Sequence, residues 1–300
     1  MNEPAPADSL AADGAAARAV GGVARLCAFG DAVLDVVVAL ERATVVDDDV
    51  PARITLSAGG QAANVAAWAV ALGVPAAVVS RVGADASGRL LRDLLVLQGV
   101  ELLAPGDGAR TGAVTSIVTP DGRRTMASDR GATESFPVGD LDPGWFRGRD
   151  WLHVSGYALF GAGSSDAALR AAVLARSAGA RVSVDLSSVT VVELAGRAEI
   201  RRLVAAAAAS VVFANAAEHA AAGPLDVATL VVKHGPAGCE VHEAGAVRAH
   251  PAPEAVVLDT TGAGDAFAAG WLVGGPPLAL AAARSCVGLR GAMPPPGRTP

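Results

Sequence analysis

Short apolar runs alternate with longer alanine- and leucine-rich stretches through most of the chain. Arg25–Phe29 reads as a strand ended by Gly30-Asp31, and Val33–Leu40 as a second apolar stretch. Asp47–Ile54 is acidic and broken by Pro51, which predicts an edge or a loop. Ser57–Gln61 reads as a glycine-rich turn, and Ala62–Leu72 as a helix closed by Gly73 and Pro75. Ala76–Val82 predicts a buried strand and Ser87–Gln98 a helix ending at Gly99. Thr111–Ser128 carries a different signal. There TSIVT and RRTMAS flank Pro120-Asp121-Gly122, which marks a hairpin.

Farther on, strands at Trp151–Ser155, Arg181–Leu186, Val211–Ala214 and Leu230–Lys233 alternate with helices at Asp166–Ser177, Val191–Ala209 and Asn215–Ala222. Cys239–Val247 reads as a short hairpin, Gly264–Leu272 and Leu278–Leu289 as helices, and the proline-rich segment after Met293 as a loose tail. Strands alternating with helices argue for an α/β fold around a mostly parallel sheet. The hairpin and the extended piece around Val36–Thr55 interrupt that alternation and could pair as a small separate sheet. No internal repeat is present.

Composition narrows the picture. The chain has 300 residues, enough for one large domain or two small ones with a core that needs no disulfide or metal staple. A net charge of −6 gives no general attraction for nucleic acid or an anionic membrane, though a local basic pocket for phosphate stays open. Leu203–Ala217, the longest uncharged run in the middle, is too short and too weakly apolar to span a bilayer. Residues 1–22 lack a basic segment and a leucine-rich core, so they read as a disordered lead-in and not as a signal peptide. Cys27, Cys239 and Cys286 form no CxxC or Cys/His pattern, which predicts reduced, buried thiols and a cytoplasmic protein. His153, His219, His234, His242 and His250 share no metal-ligand spacing, and the four tryptophans read as packing residues. Lys233 is the only lysine.

Two stretches carry chemistry. In Asp259-Thr-Thr-Gly-Ala-Gly-Asp-Ala-Phe267 the glycines let the backbone turn tightly and expose N–H groups at a helix start. Those donors and the helix dipole suit phosphate. Asp265 would repel that ligand unless it took a proton from an attacking hydroxyl. The local pattern alone leaves helix cap and general base both open. The run is neither a Walker A loop nor a dinucleotide fingerprint, because Phe267 stands where a third glycine would be. The second stretch is Ser57-Ala-Gly-Gly-Gln-Ala-Ala-Asn64. Its glycine pair permits close approach to a small ligand, and Asn64 offers a donor and an acceptor to hydroxyls. An ordinary loop-to-helix junction is the plainer alternative.

Together, in this order and at this separation, GGQAANVAAWAVALG and DTTGAGDAFAAG resemble the PfkB (ribokinase-like) family of carbohydrate kinases, from about Val23 to Gly291. The resemblance implies a ribokinase-like three-layer α/β/α domain over 23–300, with a mostly parallel central sheet and a small β lid from about 36–56 and 111–128. It implies transfer of the γ-phosphate of ATP to a primary hydroxyl of a sugar or sugar-like molecule, with Mg²⁺. By the same resemblance Asp35 contacts the sugar, with Asp31 as its rival, and Gly59, Gly60 and Asn64 are the sugar-binding glycine pair and asparagine. Asn215 and Glu218 match an NxxE motif near metal and phosphates, Glu218 acting on Mg²⁺ through water. Ala216 departs from the acidic residue usual after the asparagine. Lys233, Gly235 and Gly238 match the loop flanking ATP. Gly262, Ala263 and Gly264 match the anion hole, and Asp265 the base. Asp259, with Thr261, lies where some members bind a monovalent cation such as K⁺. Arg130 either contacts or closes over the substrate, or is a surface arginine. The stretch after Gly270 is short for the adenine contacts that members place there. A nucleoside kinase is the nearest rival, then a non-catalytic sugar or nucleotide sensor, and more distantly a dinucleotide oxidoreductase. An exposed lid sheet could pair between subunits as a homodimer or remain single.

Overall fold

The computed structural model describes residues 25–44, 46–105, 109–121 and 123–297, and the lead-in expected over residues 1–22 lies outside them. In chain order the elements are β1 (Leu26–Phe29), β2 (Val33–Leu40), β3 (Ala52–Gly59), α1 (Gln61–Ala71), β4 (Ala76–Val79), α2 (Ala86–Leu97), β5 (Glu101–Leu103), β6 (Ala113–Val118) and β7 (Arg124–Asp129). There follow β8 (Trp151–Ser155), α3 (Gly156–Leu159), α4 (Ser165–Ser177), β9 (Arg181–Asp185), α5 (Val189–Ala195), α6 (Arg197–Ala207) and β10 (Val211–Asn215). The chain ends with α7 (Ala216–Ala222), β11 (Thr229–Lys233), β12 (Cys239–Glu243), β13 (Ala246–His250) and α8 (Ala263–Val287).

Nine strands form the main sheet in the order β13-β12-β11-β10-β9-β8-β1-β4-β5. All neighbours pair parallel except β11–β12 and β12–β13. The central strands read as continuous apolar runs because both of their faces are covered. Along β1, Leu26 and Ala28 enter one core cluster and Cys27 and Phe29 the other, as the two-residue period of a strand requires. Helices α1, α2 and α8 cover the first face, and α3 to α7 the second. The three cysteines are free and buried, as expected.

A second sheet has the order β3-β2-β6-β7 and forms a small lid. Strand β3 pairs antiparallel with β2 over its whole length, where the sequence suggested an edge or loop followed by a glycine-rich turn. Residues Arg53 to Leu56 of this edge strand are exposed, so no buried alternation marks it. The chain thus leaves the main sheet after β1, runs through β2 and β3 in the lid, and returns at Gly60 into α1. This detour brings Asp31, Asp35, Gly59 and Asn64 to one junction.

Other differences are local. Val191–Ala209 is two helices, split at Gly196 with φ +77°. Strand β5 and three 3₁₀ turns within 131–146 went unread. The two C-terminal helices are halves of α8, bent where Gly274 and Gly275 leave helical geometry ahead of Pro276 and Pro277. The expected loose tail is tied down at Pro294, whose carbonyl accepts from Gln98 at 3.1 Å.

Candidate active site

Helix α8 begins at Gly262, which caps it with φ +77°. A Cβ there would sit 2.5 Å from the Ala292 carbonyl oxygen, so only glycine fits the turn. Asp265 lies inside the first turn and is not the cap residue. Its carboxylate faces α1 instead, where Asn64 Nδ2 donates to Oδ2 at 2.8 Å, and it lines the same cavity as Gln61. Desolvation pushes the Asp265 carboxyl up to about 7, reinforced by the charge of Asp185 and opposed by Asn64, Lys233 and Gln61.

The start of α1 meets the lid junction. Gly60 has φ +95°, and a Cβ on it would lie 2.5 Å from the Asp31 carbonyl oxygen. A Cβ on Gly59 would lie 2.3 Å from Asp35 Oδ2, so the missing side chain is the space the carboxylate fills. Burial raises the Asp35 carboxyl to about 6, with Arg124 opposing. The rival Asp31 is committed elsewhere: Arg130 Nη2 donates to its Oδ1 at 2.6 Å, and that guanidinium lies over the Tyr157 ring at 5.2 Å. Arg130 is therefore an ion-paired, partly buried side chain and not a free surface one. Asn64, read as a sugar ligand, spends its amide nitrogen on Asp265 while its buried Oδ1 has no partner.

Across the cavity, the C-terminal ends of β9, β10 and β11 bring Asp185, Asn215 and Lys233 to one wall, with Asn215 and Lys233 in direct register. Such strand ends are where open α/β sheets hold ligands. Lys233 Nζ donates to Asp185 Oδ2 at 2.7 Å and would stand 3.3 Å from a Cβ on Gly264. Burial works against the lysine's charge, but Asp185, Glu218 and Asp265 outweigh it and hold its pKa above the ordinary value. Asn215 and Glu218 form a capping box on α7: Asn215 Oδ1 accepts from Glu218 N at 2.9 Å, and Glu218 Oε2 accepts from Asn215 N at 2.8 Å. Burial, with Asp185 nearby, raises the Glu218 carboxyl. Gly235 and Gly238 take φ of +58° and +99° in the loop after β11. A cavity of about 970 Å³ joins Lys233, Asn215 and Gly238 to Gly262–Asp265 and reaches Leu280 and Val287 on the second half of α8.

Among the described residues no group of three or more His, Cys, Asp or Glu could hold a metal directly. Asp185 and Glu218, neighbouring oxygen donors on one wall of the cavity, fit a Mg²⁺ ion that keeps its water shell. Asp259 does not fit a directly bound monovalent cation. Its Oδ1 accepts from Thr261 N at 3.0 Å and Thr261 Oγ1 at 2.7 Å. Its Oδ2 accepts from Gly291 N at 3.0 Å and Arg124 Nη2 at 3.0 Å. A guanidinium from lid strand β7 already supplies the positive charge.

Sequence reasoning missed Asp185, Gln61 and Arg124. A carboxylate closing a buried parallel strand was the available signal for Asp185. Gln61 stood within a quoted motif but read only as a helix start, and nothing local marks Arg124.

An open parallel sheet with a glycine turn, a lysine and carboxylates at its strand ends, beneath a small lid, is the frame of a small-molecule phosphotransferase. The chain belongs to the pfkB family carbohydrate kinases, whose sequence profile matches residues 23–275. It is 32% identical over 260 residues to an ATP-dependent ribose-1-phosphate kinase of Halopiger xanaduensis, covering 83% of each chain. It is 30% identical over 269 residues to a fructokinase of Klebsiella pneumoniae, covering 83% of this chain and 84% of that one. An aminoimidazole riboside kinase of Salmonella typhimurium is 31% identical over 234 residues, covering 71% and 72%. The adenosine kinase of Sinorhizobium meliloti superposes with a TM-score of 0.79 at 23% identity, over 91% of this chain and 96% of that one. An Escherichia coli protein assigned as a ribokinase II, in complex with ATP and Mg²⁺, superposes with a TM-score of 0.75 at 20% identity, over 92% and 97%. The fold is ribokinase-like, and the chain is a carbohydrate kinase, a phosphotransferase with an alcohol acceptor.

Proposed function

We propose that this kinase transfers the γ-phosphate of ATP to a hydroxyl of a sugar or sugar-like small molecule, with Asp265 as general base. The observation that carries this reading is the position of Asp265. It faces Asn64 and the lid junction on one side and shares a cavity with Lys233 and the Gly262–Gly264 turn on the other. A carboxyl raised to about 7 is matched to taking a proton from a hydroxyl near neutral pH.

Asp35, seated against Gly59, and the unspent Oδ1 of Asn64 accept hydrogen bonds from acceptor hydroxyls. The backbone amides of Gly262, Ala263 and Gly264 face charge that develops on the transferring phosphoryl group. Lys233, kept protonated by Asp185, adds a point charge beside those amides. Gly235 and Gly238 let the following loop approach the nucleotide. Asp185 and Glu218, with Asn215 alongside, would hold Mg²⁺ through water, and the ion would neutralise further phosphate charge. The reaction runs in the cytoplasm, where ATP and free thiols such as Cys27, Cys239 and Cys286 coexist.

The decisive experiment is an acceptor panel with ATP consumption and product mass as readouts. Fructose, ribose, ribose 1-phosphate, aminoimidazole riboside and adenosine form the panel. Phosphorylation of fructose, ribose or ribose 1-phosphate supports the reading, phosphorylation of only the riboside or adenosine favours the nucleoside reading, and binding of both substrates without transfer overturns both. A nucleoside acceptor is the second reading, supported by the 31% identity to the aminoimidazole riboside kinase.

A further inference from the structure

The arginines that reach the acceptor end of the site are already spent. Arg130 Nη2 donates to Asp31 Oδ1 at 2.6 Å, and both side chains are partly buried. The pair sits at the lid junction. The Asp31 carbonyl oxygen lies beside Gly60, whose own carbonyl accepts from Asn64 N at 2.8 Å. The Tyr157 ring under the guanidinium holds it in that place. Arg124, from lid strand β7, is committed in the same way. Its Nη2 donates to Asp259 Oδ2 at 3.0 Å and its Nη1 to Thr261 Oγ1. Arg110 and Arg123 pair with Asp129 and Asp121, and Arg81 donates to Ser135. Arg53 is exposed on edge strand β3, opposite Ala39. It stands about 13 Å along the strand from the Asp35–Ser57 pair.

Two carboxylates lack such a partner. The salt bridges around the site go to Asp31, Asp259 and Asp185. Among the described residues none goes to Asp35 or Asp265. Burial raises the Asp35 carboxyl to about 6 and the Asp265 carboxyl to about 7. A surplus of nearby cations would have pulled both down instead. With Asp31 and Asp259 cancelled by their arginines, the acceptor meets two uncompensated negative charges once both groups ionise. A sugar hydroxyl suits that end, because a carboxylate accepts from it. A phosphomonoester does not. It would bring a charge of about −1.5 to −2 beside the carboxylates, with no free guanidinium to meet it.

We propose that the acceptor is an uncharged polyol or glycoside, and that Asp31 is a specificity-determining residue that excludes sugar phosphates by neutralising Arg130. The inference rests on the reading of the Asp35–Asn64 junction as the acceptor site. It separates this chain from the ribose-1-phosphate kinase to which it is 32% identical. Discrimination of this kind comes from repulsion of the wrong substrate as much as from attraction of the right one.

The test compares kcat/KM within pairs that share one acceptor hydroxyl: ribose with ribose 1-phosphate, fructose with fructose 1-phosphate, and adenosine with adenosine 3′-phosphate. In whichever pair wild type turns over, the uncharged member should lead by about a hundredfold. Asp31→Asn keeps the side chain's size and releases the guanidinium charge, so it should narrow that ratio about tenfold. Arg130→Met leaves Asp31 unpaired and should widen it, which reads the same effect with opposite sign if Asp31→Asn does not fold. Exclusion by bulk alone would respond to neither change of charge. A lead below about tenfold, or a reversal, overturns the proposal while Asp265 stands as base. A ratio unmoved in the folded variants overturns the role of Asp31. Transfer to none of the six compounds overturns the kinase reading of this junction and the proposal with it.

Discussion

Asn64 donates its side-chain amide to the Asp265 carboxylate at 2.8 Å although 201 positions separate them. The contact exists because α1 and α8 present small residues to each other's side of the core. Ala62, Ala63, Ala66 and Ala67 on one, and Ala266, Ala268 and Ala269 on the other, are fully or almost fully buried. Alanine surfaces let helix axes come close. The first turns of the two helices then meet at the lid junction, with a carboxylate between two partly positive helix ends.

Activity should follow the ionisation of Asp265. Its carboxyl is raised to about 7, so kcat/KM should rise with pH through about 7 and then level. Asp265→Asn should lower kcat by at least about a hundredfold, the usual share of general-base catalysis. A pH–rate profile checks the first, and steady-state turnover the second.

The same group should cost stability. With a folded-state carboxyl above its ordinary value, its contribution is fully present below about pH 3.8 and is lost as pH rises toward about 7. Asp265→Asn has no such loss. The variant should melt several degrees above wild type at pH 8, with the gap closing toward pH 4. Thermal unfolding at both pH values is the measurement.

Gly59→Ala should strike the acceptor and spare the nucleotide. Its Cβ would sit 2.3 Å from Asp35 Oδ2, forcing the carboxylate aside. Loss of one hydrogen bond to a charged group predicts a rise in acceptor KM of about tenfold or more. The KM for ATP should stay within about twofold of wild type. Separate titrations of the two substrates read this out.

Arg124 should make the enzyme indifferent to potassium. Asp259 already accepts four hydrogen bonds, one of them from the Arg124 guanidinium. Turnover in choline buffer should match that in KCl within about twofold. Arg124→Met removes the resident cation and should create a potassium requirement. Paired assays of both proteins in the two salts decide it.

The parts of the site that came from local backbone demands were readable in advance. The glycine turns at 59–60 and 262–264 need positive φ or space that a Cβ would fill, and such needs are written in single residues. Asn215 and Glu218 were singled out only through their match to a family motif, and the structure adds that they close a capping box at the start of α7. Asp185 was not, because its meaning lies in Lys233, 48 positions away. Strand β3 was missed because an edge strand in a thin sheet buries neither face in full, so its residues carry little alternation.

The sequence by itself determined the α/β class, most of the strands and helices, and the glycine-rich turns at two helix starts. Periodicity and backbone sterics act over a few residues and leave their mark there. Only the tertiary structure decided which groups surround Asp265, that Asp31 pairs with Arg130, and that Arg124 covers Asp259. Those facts depend on the packing of α1 on α8 and of the lid over the sheet. Desolvation and charge pairing act through space, so the pull on a carboxyl is set by neighbours that the order of residues does not place beside it.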